Sequence, residues 1–220
     1  MFGKYSVLGA VFAAAFAVGS AAGASVIDFT SASTGHSGSV YGGAVTWTMS
    51  ANGYLNNSQK YDGTYVSPAA ASTGLSFQTD GYGVGKNDDE ITTTAKKQEF
   101  IQISFSKPVL VNAIYFLDLF VAKNKSSQEV GQATFSGGQT MTAAAADVFG
   151  KGAPGFASSA FAPIWTTMIR FTVLDSNDLI GFADGALAGI GLAPVPVPAA
   201  GGLMLAGLGG LAALRRRRKA

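Results

Sequence analysis

Short runs in which apolar and polar residues alternate recur through the middle of the chain. In the clearest run, residues 99–105, the apolar residues Ile101, Ile103 and Phe105 occupy every second position. A period of two places these side chains on one face of a β-strand and the polar ones on the other. Residues 109–120 are apolar at nearly every position, which indicates a strand covered on both faces.

The same criteria predict nine strands, separated by clusters of Gly, Asn, Asp and Ser. They are residues 26–29, 40–49, 75–78, 100–105, 109–120, 132–135, 140–142, 166–174 and 186–192. Helix-forming patterns are weak, although residues 143–148 can form about one helical turn. Lys107 and Pro108 predict a break between the fourth and fifth strands. The predicted fold is all-β, an antiparallel sandwich of the jelly-roll or Greek-key type.

The amino-terminal segment, residues 1–24, has the features of a secretion signal peptide. Lys4 precedes an apolar run at residues 7–18, and Ala22-Gly23-Ala24 matches the small-residue pattern of a signal peptidase site. The apolar run is too short to cross a bilayer as a helix, which takes about 20 residues. We expect cleavage after Ala24 by signal peptidase.

The carboxy-terminal segment combines a proline motif, an apolar stretch and a basic cluster. The motif is Val195, Pro196, Val197, Pro198 and Ala199, and the basic cluster is Arg215, Arg216, Arg217, Arg218 and Lys219. The apolar stretch up to residue 214 predicts a short transmembrane helix, and the basic cluster predicts that its end is cytoplasmic. A plain stop-transfer anchor in the inner membrane is the alternative to a sorting signal.

This tail resembles the PEP-CTERM class of sorting signals, in particular its Val-Pro-Leu-Pro-Ala variant, with Val197 in place of the usual Leu. The resemblance implies an exosortase-type membrane enzyme as a partner, cutting near the proline motif. It also implies a Gram-negative bacterium that makes exopolysaccharide. The expected location is first the inner membrane, through the carboxy-terminal helix, and then the cell surface or the extracellular space.

A second segment resembles exported PEP-CTERM proteins. Residues 80–91 contain Gly83-Val84, a polar loop and Asp89-Glu90-Ile91, and Glu99 leads the next strand; Tyr82 replaces the usual Leu. This resemblance extends to about residue 120 and implies no settled biochemical activity.

Length and composition divide the chain into residues 1–24, a single domain at 25–193 and a tail at 194–220. The central 169 residues are enough to bury one core, and the chain has no cysteine to form disulfides or thiolate sites. The domain has nine basic residues against 13 acidic ones, a net charge of about −4. Nucleic-acid binding is therefore not expected.

Two polar turns are candidates for cation binding. Asp88, Asp89 and Glu90 cluster oxygen donors of the kind that Ca²⁺ prefers, although the spacing is not that of an EF-hand and Lys86 is close enough to neutralise the loop. A solvated acidic turn is the alternative. Residues 175–178 form a second acidic turn, for which a plain loop is favoured. No other cofactor is indicated.

No catalytic residue is indicated. The only histidine, His36, lies in a polar glycine-rich stretch without a nucleophile motif beside it, and we expect it in an exposed loop. A pair of carboxylates of the glycosidase type stays an alternative, because their separation depends on the tertiary structure.

Tyr54, Tyr61 and Tyr65 are candidate sugar contacts, since Asn and Gln residues are interleaved with them. Trp47 and Trp165 are expected in the core. The sequence favours a non-enzymatic exported surface or matrix protein. The alternatives are a carbohydrate-binding module that acts on exopolysaccharide, or a glycan hydrolase.

Overall fold

The computed structural model describes residues 24–124, 127–174 and 182–195. The predicted signal peptide up to residue 23, the acidic turn 175–178, and the tail from residue 196 onward, with most of the proline motif, lie outside the described residues. Within the described ranges, no helix is long and apolar enough to cross a membrane.

The described residues are predominantly β-structure. The strands are β1 (Ser25–Asp28), β2 (Ser37–Val40), β3 (Val45–Ala51), β4 (Leu55–Asn56), β5 (Gly83–Val84), β6 (Thr93–Thr94), β7 (Lys97–Gln98), β8 (Ile101–Leu117), β9 (Val130–Phe135), β10 (Thr140–Ala144), β11 (Ala157–Val173), β12 (Phe182–Ala183) and β13 (Ala186–Leu192). One short α-helix, α1 (Pro68–Ala71), is capped by the Ser67 side chain, which accepts from the Ala70 N–H. A 3₁₀ turn spans Tyr41–Gly43.

The strands form one large antiparallel sheet and two small ones. The large sheet runs in the order β1-β13-β8-β11-β9-β10, with β3 also paired to β8 and β2 to β3. The small sheets are β12-β6-β7 and β4-β5. The predicted all-β, antiparallel and sandwich-like architecture is therefore confirmed.

The longest strands, β8 and β11, pass through most of the large sheet. The expected break at Lys107 and Pro108 is wrong, because β8 continues through both residues. Pro108 has no N–H for the ladder, and it lies where β8 exchanges one neighbour, β3, for another, β13. The pairing with β11 shifts register at the same place, between Thr166 and Met168. A strand can thus contain proline at a point where the pairing is interrupted.

Four other parts of the chain differ from the prediction. Residues 40–49 form the β2–β3 hairpin rather than one strand, because Tyr41, Gly42 and Gly43 adopt positive φ and turn the chain. Residues 75–78 are not a strand. β11 begins nine residues earlier than predicted, and residues 143–148 contain the end of β10 instead of a helical turn.

The core follows the alternating pattern. Ile101, Ile103 and Phe105 are buried as predicted, and Trp47 packs edge-on against Phe29 with ring centroids 5.6 Å apart. Trp165 is 54% exposed, so its assignment to the core is wrong. An isolated aromatic residue does not reveal its side of a strand when the strand contains a bulge beside it.

Several loops lie together at one end of the strands of the large sheet. β8 ends at Leu117, which lies opposite Ala186 at the start of β13, and Phe116 lies opposite Ala157 at the start of β11. The segments that follow β8 and precede β11 and β13 therefore emerge together. We refer to the loops at residues 61–65, 118–123 and 147–156 as the loop end.

Candidate functional site

Backbone hydrogen bonds join the three segments of the loop end. The Thr64 N–H and hydroxyl both donate to the Gly152 carbonyl oxygen, at 3.2 and 2.6 Å. The Asp118 N–H donates to the Pro154 carbonyl at 3.2 Å, and Leu119 N–H donates to Gly155 at 3.0 Å. These contacts fix the loops relative to each other, as a binding surface requires.

Three carboxylates from separate segments meet beside these loops. Asp62, Asp80 and Asp118 each place an oxygen within 4.8 Å of the other two. The Asp62 N–H donates to Asp80 Oδ1 at 3.2 Å, which anchors the pair. Asp118 follows β8 directly and has φ 57°, a left-handed conformation that Asp tolerates better than most residues. The cluster is thus assembled by the tertiary structure.

The cluster is electrostatically unfavourable for three ionised carboxylates. Burial and the neighbouring acids raise the pKa of Asp118 to about 9 and that of Asp80 to about 7. The pKa of Tyr61 rises to about 12, first through burial and then through the charges of Asp80 and Asp118. Like charges held close together disfavour ionisation unless a cation joins them.

The predicted calcium ligands have different surroundings. Asp88 closes a turn, with its Oδ1 accepting from the Glu90 N–H at 3.1 Å. Asp89 is 3% exposed, and its Oδ2 has no hydrogen-bond partner among the described residues. Burial, followed by the charge of Asp184, raises the pKa of Glu90 to about 8. Among the described residues, the acidic side chains whose oxygens lie within 4.8 Å of one another are instead those of Asp62, Asp80 and Asp118. Its members are far apart in sequence, so no local motif identifies them.

Glu129 and Asp184 form a separate pair of carboxyl groups beside the loop end. Glu129 Oε2 accepts from the Phe120 N–H at 2.7 Å. Burial, the charge of Asp184 and a hydrogen bond to its side chain raise the pKa of Glu129 above the ordinary value. The folded protein therefore holds a proton on Glu129 more tightly than an exposed glutamate does.

The three candidate tyrosines have distinct roles. Tyr54 and Tyr65 are exposed, at 62% and 51%. Tyr61 is half-buried, packs edge-on against Phe77 with ring centroids 5.4 Å apart, and donates its hydroxyl to the Tyr65 carbonyl at 2.8 Å. Its ring and hydroxyl therefore serve to hold the loop. Tyr54 and Tyr65 keep free ring surface.

Phe149, which the sequence analysis missed, adds a second exposed aromatic ring to the loop end. It is 55% exposed, packs edge-on against Phe120, and has the Lys123 ammonium 5.5 Å above its ring. The only sequence indication was its position before the glycine-rich segment at residues 150–155.

Three asparagine side chains near the tyrosines form structural hydrogen bonds. Asn52 binds the Gln98 carbonyl and the Phe100 N–H, and Asn56 donates to the Asp88 carbonyl at 3.1 Å. The Asn57 amide donates to the Phe29 carbonyl at 3.3 Å. These side chains stabilise the connections between segments, so ligand contacts from them are not favoured.

A separate groove of about 380 Å³ lies between β1 and β2. It is lined by serine and threonine hydroxyls, with Trp47 in its wall. The carboxylate in the groove is that of Asp28, which accepts hydrogen bonds from the Thr30 N–H and hydroxyl and from the Ser76 N–H. The Thr34 hydroxyl donates to the Asp28 backbone carbonyl. Since Asp28 and Thr34 already have partners, they are less available to a ligand than the exposed groups of the loop end.

His36 is exposed, as predicted, and its ring packs edge-on against Tyr82 at 5.5 Å. Among the described residues no carboxylate hydrogen-bonds to it, so it has none of the orienting contacts of a catalytic triad.

No protein-family model matches the sequence, and no curated protein matches it. Among solved structures, the chain is similar to the family 32 carbohydrate-binding module of NanJ from C. perfringens in complex with galactose. The identity is 15%, the TM-score 0.31, and the coverage 66% of this chain and 93% of that one. A family 32 module of AlyQ in complex with 4,5-unsaturated mannuronic acid has 11% identity and a TM-score of 0.31, with coverage of 48% of this chain and 79% of that one. A pectin-binding carbohydrate-binding module has 11% identity and a TM-score of 0.30, with coverage of 46% of this chain and 70% of that one. Likeness at this level does not establish a shared function.

Proposed function

We propose that this protein is a non-catalytic, carbohydrate-binding protein of the bacterial cell surface or extracellular matrix, and that the loop end is its binding surface. The observation that carries the proposal is the pair of exposed rings, Tyr65 and Phe149, on two loops joined through Thr64 and Gly152. They lie on the same edge as the carboxylate cluster.

This combination suits a sugar for two physical reasons. The C–H face of a sugar ring packs on a flat aromatic surface, which binds without requiring a deep cavity. Carboxylates accept hydrogen bonds from hydroxyl groups, and such charge-assisted bonds are stronger than neutral ones. Asp62, which is exposed and three residues before Tyr65, is placed to contribute in this way.

Affinity electrophoresis in gels containing galactan, polygalacturonate, alginate or xylan tests the proposal. We expect retardation in at least one gel, and a loss of about tenfold in affinity for Tyr65→Ala and for Phe149→Ala, as for removal of one stacking ring. Trp165→Ala is the matched control, because Trp165 is equally exposed but lies eight residues along β11 from the loop end, about 26 Å.

Equal losses in all three variants, or no retardation in any gel and no binding on a broad glycan array, would refute the proposal. Release of reducing sugar from a retarding polysaccharide would instead favour the glycan hydrolase.

We also propose that the tail acts as a sorting signal, on the basis of the proline motif, apolar stretch and basic cluster. Intact mass of the protein from the native envelope and medium, with and without the candidate sorting enzyme, tests this. A mass that begins near Ser25 and ends near Pro198 or Ala199, and that regains the tail in the mutant, is expected. Retention of Arg215 to Ala220 in both strains would mean that the tail is only a membrane anchor.

A further inference from the structure

We propose that Asp62, Asp80 and Asp118 bind a divalent cation of the size and chemistry of Ca²⁺ beneath the loop end. This site is distinct from the turn at Asp88 to Glu90, which the sequence offered as a candidate for cation binding. It also stands independently of sugar binding, since it rests on the cluster itself and on the buried acid beside it.

The spacing fits the ion. Ca²⁺ binds oxygens at about 2.4 Å, so two of its ligands are separated by up to about 4.8 Å. One oxygen from each carboxylate satisfies this limit. Asp80 is 6% exposed and Asp118 is half-buried, whereas Asp62 is exposed. Asp80 and Asp118 therefore lie on the closed side of the site, and the side at Asp62 is open to solvent.

A second observation comes from Asp89. Its side chain is more than nine-tenths buried, and Oδ2 has no hydrogen-bond partner among the described residues. Asp89 lies near enough to Asp80 and Asp118 for its charge to act on both. The ion pair among the described residues joins Lys97 to Glu99. Within that part of the chain, no Lys or Arg side chain therefore forms an ion pair with the three clustered aspartates or with Asp89. Gln59 hydrogen-bonds the Asp89 carboxylate, but a buried oxygen without a partner is still costly, and a neighbouring cation offsets that cost.

The open side of the site has a consequence for ligand binding. Ca²⁺ takes six to eight oxygens, so three carboxylates leave positions for water or for ligand hydroxyl groups. Should the proposed sugar surface exist, the ion lies where it can orient a hydroxyl-bearing ligand.

Calorimetric titration of CaCl₂ into the chelator-treated full chain, kept in mild detergent because of its apolar tail segment, tests the site. We expect binding with a Kd of about 10⁻⁴ to 10⁻³ M, the range of extracellular modules, and a rise in Tm of about 3–10 °C at 10 mM CaCl₂. MgCl₂ should produce a smaller rise, since Mg²⁺ demands tighter geometry.

Asp118→Asn separates a cation ligand from a merely structural residue. Asn tolerates the left-handed backbone and has nearly the same shape, so the fold is retained. In chelator at pH 8 the variant should be at least as stable as the wild type, because a neutral amide replaces a buried carboxyl group that is unfavourable beside two other acids. With 10 mM CaCl₂ the rise in Tm should be lost. A structural role alone would lower Tm equally in both conditions.

Asp88→Asn is the control that distinguishes the two acidic sites. Its amide oxygen can still accept from the Glu90 N–H, and we expect the CaCl₂ response to be retained. Loss of the response in Asp88→Asn with retention in Asp118→Asn would overturn the proposal in favour of the turn. Absence of any heat or Tm change with CaCl₂ would overturn it outright, whether or not a polysaccharide binds.

Discussion

At the scale of single residues, Gly83 shows how closely two segments of backbone approach at the acidic turn. A Cβ atom at this position would lie 1.8 Å from the Asp89 carbonyl carbon and 2.0 Å from the Glu90 nitrogen. Because both obstacles are backbone atoms, no side-chain rotation relieves the clash. A glycine is therefore required for the backbone at residue 83 to pack against the backbone of Asp89 and Glu90.

We expect Gly83→Ala to lower the free energy of unfolding by about 2 kcal/mol or more, as for overpacking at a rigid site. Urea unfolding followed by tryptophan fluorescence measures the change. Gly35→Ala is the control, since a Cβ there meets nothing within 4 Å. Equal stability of the two variants would contradict the close packing.

Glu129 makes stability depend on pH. Its pKa in the folded protein is raised above the ordinary value of 4.5, so the folded state holds the proton more tightly than the unfolded chain does. This contribution is fully present below the unfolded pKa and is lost as pH rises through the folded pKa. Glu129→Gln removes the titrating group and keeps an acceptor for the Phe120 N–H.

In chelator, we expect wild-type stability to fall between pH 5 and pH 9, with a slope of up to about 1.4 kcal/mol per pH unit for each proton released. The slope should be shallower in Glu129→Gln. Urea titrations at a series of pH values measure both slopes, and identical slopes would contradict the raised pKa.

At the scale of elements, the contact between Thr64 and Gly152 joins two loops that are 88 residues apart in sequence. Thr64→Ala removes the hydroxyl bond at 2.6 Å and leaves the backbone bond at 3.2 Å. We expect faster amide exchange at Thr64 and weaker polysaccharide retention, with a change in global stability of about 1 kcal/mol or less.

Thr46→Ala on β3 is the matched control, because Thr46 is exposed and lies away from the loop end. Wild-type amide exchange at Thr64 together with wild-type retention in Thr64→Ala would show that the contact does not organise the binding surface.

At the scale of the whole molecule, residues 23–195 form a compact unit by themselves. Its large core cluster lies within this range, from Ile27 to Leu192, and β1 and β13 pair near the two ends of the unit. A fragment of residues 24–195 should therefore unfold in one cooperative transition, with coincident changes in circular dichroism and fluorescence. Non-coincident or gradual transitions would mean that the segments outside it are needed for folding.

The sequence determined those properties that depend on local periodicity and composition. Alternation at Ile101, Ile103 and Phe105 identified a half-buried strand, because side chains of a strand point to its two faces in turn. The scarcity of helical patterns and the lack of cysteine indicated an all-β domain without disulfides. The terminal segments predict export and sorting, and these stay predictions.

Only the tertiary structure decided which residues meet. Pro108 did not end β8, because strand pairing changes neighbour there, and Trp165 is exposed because sheet geometry, not residue type, sets its face. The cluster of Asp62, Asp80 and Asp118 joins positions up to 56 residues apart. Carboxylates repel each other, so the free energy that holds these three together comes from the surrounding sheet and loops rather than from their own interaction. That long-range origin is why no local pattern revealed them.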